Sequence, residues 1–362
     1  MINKHFLEEP NILDMSKEIF NSVVDENLKV ETRFQLLSNK IQDAETVNFI
    51  IADGLGFLNL QSTDSFLNEY LKSSVNTTFP SSTNVALTTI AILKSPIEHG
   101  IIGYYMYDKL NYGLINALNW NAENKGLLNA KYFDSQSSVW TIFKENNIYA
   151  SNFQPRNLIN TPLSSFLYEE KSTVPYISQE DLLITLSDSL YLENKFNFIY
   201  YPNIDVSAHV FGVNSDEWLK EVKKFEELVK KVTELSNKKS FTVISADHGL
   251  TNIPKENRFH IAHQEDIEIY GDQRAVYING SEKNIIESFS NIPGQLINRT
   301  ELNHLLPTPE NDFIESLYPD FCFLVEDKNI IYPQHLKTEL AGYHGGLSEE
   351  EIKIPIIEIS NF

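Results

Sequence analysis

Three short apolar runs, each followed by an acidic residue, limit what this chain can fold into. Residues 47–52 (VNFIIA) lead into Asp53-Gly54-Leu55-Gly56, and residues 196–201 (FNFIYY) lead into Pro202-Asn203-Ile204-Asp205. Residues 241–246 (FTVISA) lead into Asp247-His248-Gly249. Runs of this length without polar alternation fit strands buried on both faces, as in a parallel sheet. Helical spacing appears between and around them. Ile12, Met15, Ile19, Phe20 and Val23 mark a helix near the start, and two more are expected over about 137–147 and 179–192. A longer one is expected over about 215–237, with Trp218, Val222, Phe225, Leu228, Val229 and Val232 on one stripe. Asn214 is its expected cap, with Glu217 three residues on.

Strand-then-helix alternation predicts an α/β fold with a doubly wound, mostly parallel sheet and helices on both faces. Residues 1–45 read as a helical lead-in and 46–362 as a single domain. Two less regular stretches, about 106–135 and 255–345, read as insertions forming a small cap region; the first holds a possible strand at 114–120. A strand is expected at 148–150 and a last one at 354–359, where Pro355 suggests a strand end or an edge. In such sheets the ligand crevice lies beyond the carboxyl ends of the strands, and that is where the three acids fall.

The chain carries 50 Asp plus Glu against 29 Lys plus Arg, a net charge of −21. That balance argues against binding nucleic-acid backbones or anionic membranes. It also means that an anionic substrate needs a local positive centre, which bound cations supply. The single cysteine, Cys322, excludes an internal disulfide. No basic segment followed by an apolar run opens the sequence and no stretch approaches bilayer length, so a cytoplasmic protein is the default expectation.

Chemistry-bearing residues gather in five places. Asp53 stands before two glycines; alone it reads more readily as a helix cap than as a ligand. Asp205 and His209 are four residues apart, which puts a carboxylate and an imidazole on one helical face. Asp247-His248 sits at a strand-to-loop turn where both side chains can bend to one ion. His344 lies in the glycine-rich Gly342-Tyr343-His344-Gly345-Gly346. Thr83 follows the turn Phe79-Pro80-Ser81-Ser82 at the start of an apolar helix, where the positive end of the dipole favours an attacking or bound anion. Three carboxylates, three imidazoles and one hydroxyl are the material of a site for two divalent ions. The mixed N/O set suits Zn²⁺, with Mn²⁺ or Fe also fitting.

These segments (IADGLG, FPSSTNVALTT with SPIEHGIIGYYMYD, YPNIDVSAH, ISADHG and GYHGG) resemble the alkaline phosphatase superfamily, and most of all its phosphodiesterase and nucleotide pyrophosphatase branch. They stand in that family's order from about residue 48 to 346. The resemblance implies that Thr83, sixteen residues before His99, is the nucleophile of a covalent phosphothreonine route, and that Thr78 is a decoy. It assigns Asp53, Asp247, His248 and Thr83 to one metal and Asp205, His209 and His344 to the other. The substrate it implies is a small phosphodiester or a nucleotide pyrophosphate.

One position departs from the pattern. The branch's phosphoryl-binding asparagine, twenty-one residues after the nucleophile, is Tyr104 here. Tyr104 and Asn84 are the candidate substrate contacts. No arginine lies between Val75 and Tyr112, which favours a diester over the monoester that some relatives grip with arginine; Arg156, Arg258 and Arg274 are the candidates for that role. A phosphomonoesterase and a catalytically inactive metal-containing binding protein are the alternatives. A sulfatase is disfavoured, because Cys322 lacks the required neighbours. Of the other histidines, only His260 and His263 stand close enough to pair, and they read as loop surface. Tyr104, Tyr105, Tyr107, Tyr112 and Trp120 serve either to stack a base or as insertion core.

Overall fold

A computed structural model of the chain describes residues 3–123, 125–128, 137–191, 194–236, 239–261, 265–326, 328–332 and 339–362. The central sheet has seven strands: β1 Thr46–Ala52, β2 Leu71–Asn76, β3 Ala150–Pro155, β4 Thr173–Tyr176, β5 Phe196–Tyr201, β6 Ser240–Ser245 and β7 Lys353–Ser360. Their order is β2-β7-β6-β1-β5-β3-β4. All pairings from β6 to β4 are parallel, whereas β7 runs antiparallel to both of its neighbours. Every residue of β1, β5 and β6 is buried, as their unbroken apolar character predicts.

The two faces are covered by different helices. On one, α1 (Ile12–Val23), α2 (Thr83–Ile92) and α3 (Val139–Glu145) pack over Phe49, Phe196 and Phe198. Phe20 and Phe143 lie 5.7 Å apart there, and Trp140 lies 5.8 Å from Phe196. The opposite face carries α4 (Gln179–Tyr191), α5 (Asn203–Phe211) and α6 (Asp216–Leu235), with Phe225 of α6 at 5.2 Å from Tyr201. On this second face Asn48 donates to Thr242 and to Ser236, and accepts from Asn197, so the buried amide is fully used. The sheet is thus a mostly parallel α/β layer with helices on both sides.

Two four-stranded antiparallel sheets stand outside it. One is built from Tyr105–Asp108, Gly113–Asn116, Asn121–Ala122 and Gly126–Leu127. The other comprises Ile267–Gly271, Ala275–Gly280, Gly294–Asn298 and Phe321–Val325. They meet through Tyr107 and Tyr270, whose rings lie 5.7 Å apart. Among the described residues, no helix is long and apolar enough to cross a membrane.

Several local expectations shift. The cap of α6 is Ser215, whose Oγ accepts the Trp218 N–H at 3.2 Å, while Asn214 takes a left-handed φ of 67° before it. The strand expected at 148–150 instead occupies Ala150–Pro155. The expected strand at 114–120 stops at Asn116, whose side-chain oxygen accepts from Leu118 N and Asn119 N and turns the chain. Pro355 lies in an interior strand. However, β6 pairs only with residues 357–360 of β7, so the proline sits where β2 alone borders the strand, and the β2 register shifts just after it.

Candidate active site

Register accounts for the centre. Ile51 of β1 is level with Ser245 of β6 and with Tyr200 of β5. Two residues further on, Asp53 and Asp247 leave adjacent strands side by side. The turn after β1 then passes close to the first turn of α5: Gly54 adopts φ +75°, and a Cβ there would lie 2.9 Å from Asp205 Cα. A side chain at 54 would push Asp205 away from Asp53. From the far end of the chain, the loop after Gly342–Tyr343 brings His344 over His248, with ring centroids 3.7 Å apart and planes at 16°.

Five of the six expected ligands fall into two overlapping groups, His209 stands beside Asp205 but in neither of them, and Thr83 joins them as the first residue of α2. Its Oγ1 lies 3.0 Å from His248 Nε2, which in turn lies 3.4 Å from Asp247 Oδ2 and 3.6 Å from Asp53 Oδ1. His209 Nε2 is 3.3 Å from Asp205 Oδ2. Ligand atoms of Asp53, Asp247 and His248 fall within 4.8 Å of one another, as do those of Asp205, His248 and His344, so His248 stands between the two groups. The His209 ring is 5.2 Å from His344.

The imidazoles are oriented from behind. His209 Nδ1 bonds Gly342 O, His248 Nδ1 bonds Gly249 O and His344 Nδ1 bonds Ser81 O, at 2.8, 3.2 and 2.8 Å. A carbonyl only accepts, so each Nδ1 carries a proton, and in a neutral ring the lone pair is then on Nε2. The carboxylates are held similarly: Asp247 Oδ1 accepts from Gly54 N and His248 N, and Asp53 Oδ2 accepts the Tyr200 hydroxyl. What remains is Asp53 Oδ1, Asp205 Oδ1 and Asp247 Oδ2, all buried without a hydrogen-bond partner among the described residues.

Such orphaned acceptors are costly unless something positive meets them. Burial and mutual repulsion drive Asp53 well above the usual carboxylate range, burial raises Asp247, and burial takes Asp205 to about 6 against the opposing pull of His209. Burial also pushes His248 down to about 3 and His344 well below its ordinary value. Neutral imidazoles and crowded carboxylates are the donor set of a divalent cation. Around a tetrahedral ion with bonds of about 2.0–2.1 Å, ligand atoms sit roughly 3.3 Å apart, which matches the spacings above. The residues fit two ions.

Substrate contacts are placed differently from the ligands. Asn84 is fully buried, with its amide accepting from Ser82 Oγ at 3.0 Å and donating to Gly103 O at 2.9 Å. Tyr104 packs edge-on to Tyr105 at 5.0 Å and gives its N–H to Asp272, and it does not line the cleft beside the cluster. That cleft, of about 1080 Å³, opens from Asp53, Thr83 and Asp205 across the ends of β5, β3 and β4. Its aromatic lining is Tyr168, Tyr176, Tyr200 and Tyr201. Trp120 is buried against Phe166 instead, as insertion core.

Of the three arginines, Arg274 is buried in a two-bond pair with Glu351, and Arg258 is spent on Ile253 O, Leu340 O and Glu339. Only Arg156 reaches the cleft. His99 is a buried structural group: its Nδ1 accepts from Ile101 N and its Nε2 bonds Thr89 Oγ1. His260 stacks on Tyr332, and His263 lies outside the described residues. Thr78 donates to Pro80 O, away from the cluster. Tyr200, Ser81 and the cleft residues of β3 and β4 were not singled out from sequence. Only strand register, which aligns Tyr200 with Ile51, signals the first of them.

No curated protein sequence matches the chain. Its fold resembles murine ectonucleotide pyrophosphatase/phosphodiesterase 5, with TM-score 0.68 and 15% identity over 86% of this chain and 87% of that one. An inactive threonine-to-alanine form of the same murine protein, in complex with AMP, aligns with TM-score 0.66 at 15% identity, over 86% and 87% of the two chains. Phosphonoacetate hydrolase from Sinorhizobium meliloti 1021, in complex with phosphonoacetate, aligns with TM-score 0.62 at 12% identity, over 87% and 90%. The family model for type I phosphodiesterase / nucleotide pyrophosphatase matches residues 48–296, most of the chain and four of its five motifs. The chain belongs to the type I phosphodiesterase/nucleotide pyrophosphatase family of phosphoester hydrolases.

Proposed function

We propose that this protein hydrolyses phosphodiesters or nucleotide pyrophosphates with the help of two divalent ions, Zn²⁺ being the best match, through a phosphothreonine at Thr83. The observation that carries this reading is the position of the Thr83 hydroxyl, 3.0 Å from His248 Nε2 at the rim of a cage of unpartnered carboxylate oxygens. Asp53, Asp247 and His248 with Thr83 would hold one ion, and Asp205, His209 and His344 the other. When bound, such ions acidify a hydroxyl and neutralise charge on the entering and leaving oxygens.

The chain's own groups do the rest. Helix α2 is not capped by the side chain of Ser82, so its first backbone N–H groups face the phosphoryl oxygens beside Thr83. Asn84 contributes through its backbone at this helix start, since its amide is committed inside the fold. Thr83 Oγ1 forms a bond to phosphorus as the bond to the leaving alkoxide breaks, and that group departs as an alcohol after gaining a proton. Water then displaces Thr83, which recovers its proton and releases a phosphomonoester. Tyr200, the Ser81 carbonyl and the Gly342 carbonyl keep the ligands aimed throughout. The AMP and phosphonoacetate complexes of the structural neighbours support a small phosphorus-bearing substrate.

The test is metal-loaded protein assayed on bis-p-nitrophenyl phosphate, p-nitrophenyl phosphate and dinucleotides, with metal analysis on the same sample. Diester turnover is expected to exceed monoester turnover, and Thr83→Ala to keep both ions while losing turnover at least a thousandfold. Undiminished hydrolysis by Thr83→Ala excludes the covalent route; no hydrolysis by the fully loaded wild type leaves a binding protein.

A further inference from the structure

The cleft beside the cluster extends well past the reach of a single phosphoryl group, and its charged residues are not equivalent. Lys224 is paired with Glu221 at 2.8 Å, and Glu221 also accepts the Tyr201 hydroxyl at 2.6 Å. Glu180 is turned onto the start of its own helix, bonding the Ser178 hydroxyl and its own backbone N–H. Arg156 differs from all three. It is exposed, it lines the cleft, and its guanidinium has no hydrogen-bond or ion-pair partner among the described residues. Its backbone is fixed, because Arg156 N donates to Tyr176 O at 2.8 Å.

Strand register gives its distance from the chemistry. Ile50 is level with Ile199, and Ile199 with Phe153. Three residues further along each strand, Asp53 and Arg156 are level, with β5 between them. Two strand spacings amount to about 10 Å. That separation is between backbones, so the guanidinium of Arg156, on its long stem, serves the part of the cleft beyond the carboxylates, within the span of a nucleotide-sized substrate. In a protein of net charge −21, an unpaired guanidinium inside an active-site cleft marks a place for an anion.

We propose that Arg156 binds a second anionic group, phosphate or carboxylate, on the organic arm of the phosphodiester, on the side of the cleft two strands across from Asp53. This deepens, and rests on, the hydrolase reading above. The substrate class is thus a diester or pyrophosphate with one further anion on the retained or departing arm.

The experiment uses three p-nitrophenyl esters of thymidine 5′-phosphate with the same leaving group: unmodified, 3′-phosphorylated and 3′-O-carboxymethylated. Wild-type protein loaded with Zn²⁺ is expected to favour the anionic arms by about tenfold or more in kcat/KM, with the preference shrinking in 1 M NaCl. In Arg156→Gln the ratio of anionic to unmodified ester falls to near one, and Arg156→Lys keeps part of it. Which anionic arm shows the larger ratio separates phosphate from carboxylate. A wild-type ratio of one, or a ratio that Arg156→Gln leaves unchanged, overturns the proposal while the hydrolase reading stands. If no ester is cleaved, the hydrolase reading fails, and calorimetry decides the subsite separately. Thymidine 3′,5′-bisphosphate must then bind the loaded wild type more tightly than thymidine 5′-phosphate, and Arg156→Gln must abolish that difference; equal binding refutes it.

Discussion

Replacing Tyr200 by Phe tests whether the carboxylate cage is tuned from behind. The ring of Tyr200 is buried, and its hydroxyl donates to Asp53 Oδ2. The other carboxylate oxygen, Oδ1, has no donor among the described residues. The phenylalanine keeps the packing and leaves Asp53 with no side-chain donor in the company of Asp205 and Asp247. The tyrosine hydrogen bond opposes the burial and repulsion that raise the Asp53 carboxyl, so its removal raises that group further. A hydrogen bond to a charged acceptor contributes about 1.5–3 kcal/mol, and 1.4 kcal/mol is a factor of ten. Affinity for one divalent ion is therefore expected to drop roughly ten- to a hundredfold, in line with other outer contacts of metal ligands. Competition against a chromophoric zinc chelator measures this directly. Because protons then compete better for Asp53, the deficit should be larger at pH 6 than at pH 8, and saturating zinc should restore turnover. A variant that binds both ions within twofold of wild type at both pH values would refute the role given to this hydroxyl.

Gly54→Ala forces a Cβ to within 2.9 Å of Asp205 and a left-handed φ of 75° on an alanine, so stability falls by about 1–3 kcal/mol and bound metal drops below two equivalents; thermal melts and metal analysis read both. Arg274→Met leaves Glu351 as a buried carboxylate without its cation, held by the Gly346 and Ser348 N–H groups beside the His344 loop, at a cost of about 3–5 kcal/mol. With roughly 2.1 cal/mol/K per residue of unfolding entropy, that shifts Tm by about 4–7 °C, and Arg274→Met with Glu351→Leu should recover most of it. His99, held neutral by burial with a value of about 3, binds its proton in the unfolded chain near pH 6.5. Its contribution is complete above pH 6.5 and is lost as the pH falls toward 3, so wild type should lose stability relative to His99→Gln between pH 6.5 and 4. Parallel denaturation curves for the two proteins would contradict this.

The sequence carried the elements better than their neighbours. Unbroken apolar runs ending in Asp53, Asp205 and Asp247 mark buried parallel strands and the edge where a site forms, because periodicity is a local property. What the runs could not say is that β1 lies between β5 and β6 or that Asp53 and Asp247 are level; both follow from pairings between residues far apart in the chain, such as Val47 with Phe196 and Thr46 with Ser240. The same limit hid Tyr200, whose role depends on its being in register with Ile51. Tyr104 and Asn84 show the opposite problem. Position in a motif suggested contact with substrate, while the side chains turned toward Asn116 and Gly103 once the first insertion folded over them. The cleft was out of reach for a third reason: Gln154 and Tyr176 sit at ends of strands that carry no acidic or histidine signature, and Arg156 stood out only as one of three arginines with no place assigned.

The arrangement of charges bears on how this protein reaches its folded state. Asp53, Asp205 and Asp247 are buried around the same centre, and three oxygens among them lack a donor among the described residues. In an ordinary core this would be a large liability, since each buried unpaired acceptor costs about 1–3 kcal/mol. The fold does not relieve it with lysine or arginine: the buried guanidinium of Arg274 is given to Glu351, and Arg156 stands two strands away. On the two-ion reading proposed above, the compensation would come from cations shared between β1, β6, α5 and the His344 loop, and affinity for the ions and stability of the fold would then be one quantity measured in two ways. Any substitution that loosens a ligand should then lower Tm in zinc-loaded protein more than in protein stripped by chelator, whereas a substitution in α6 or the outer sheets should lower both alike.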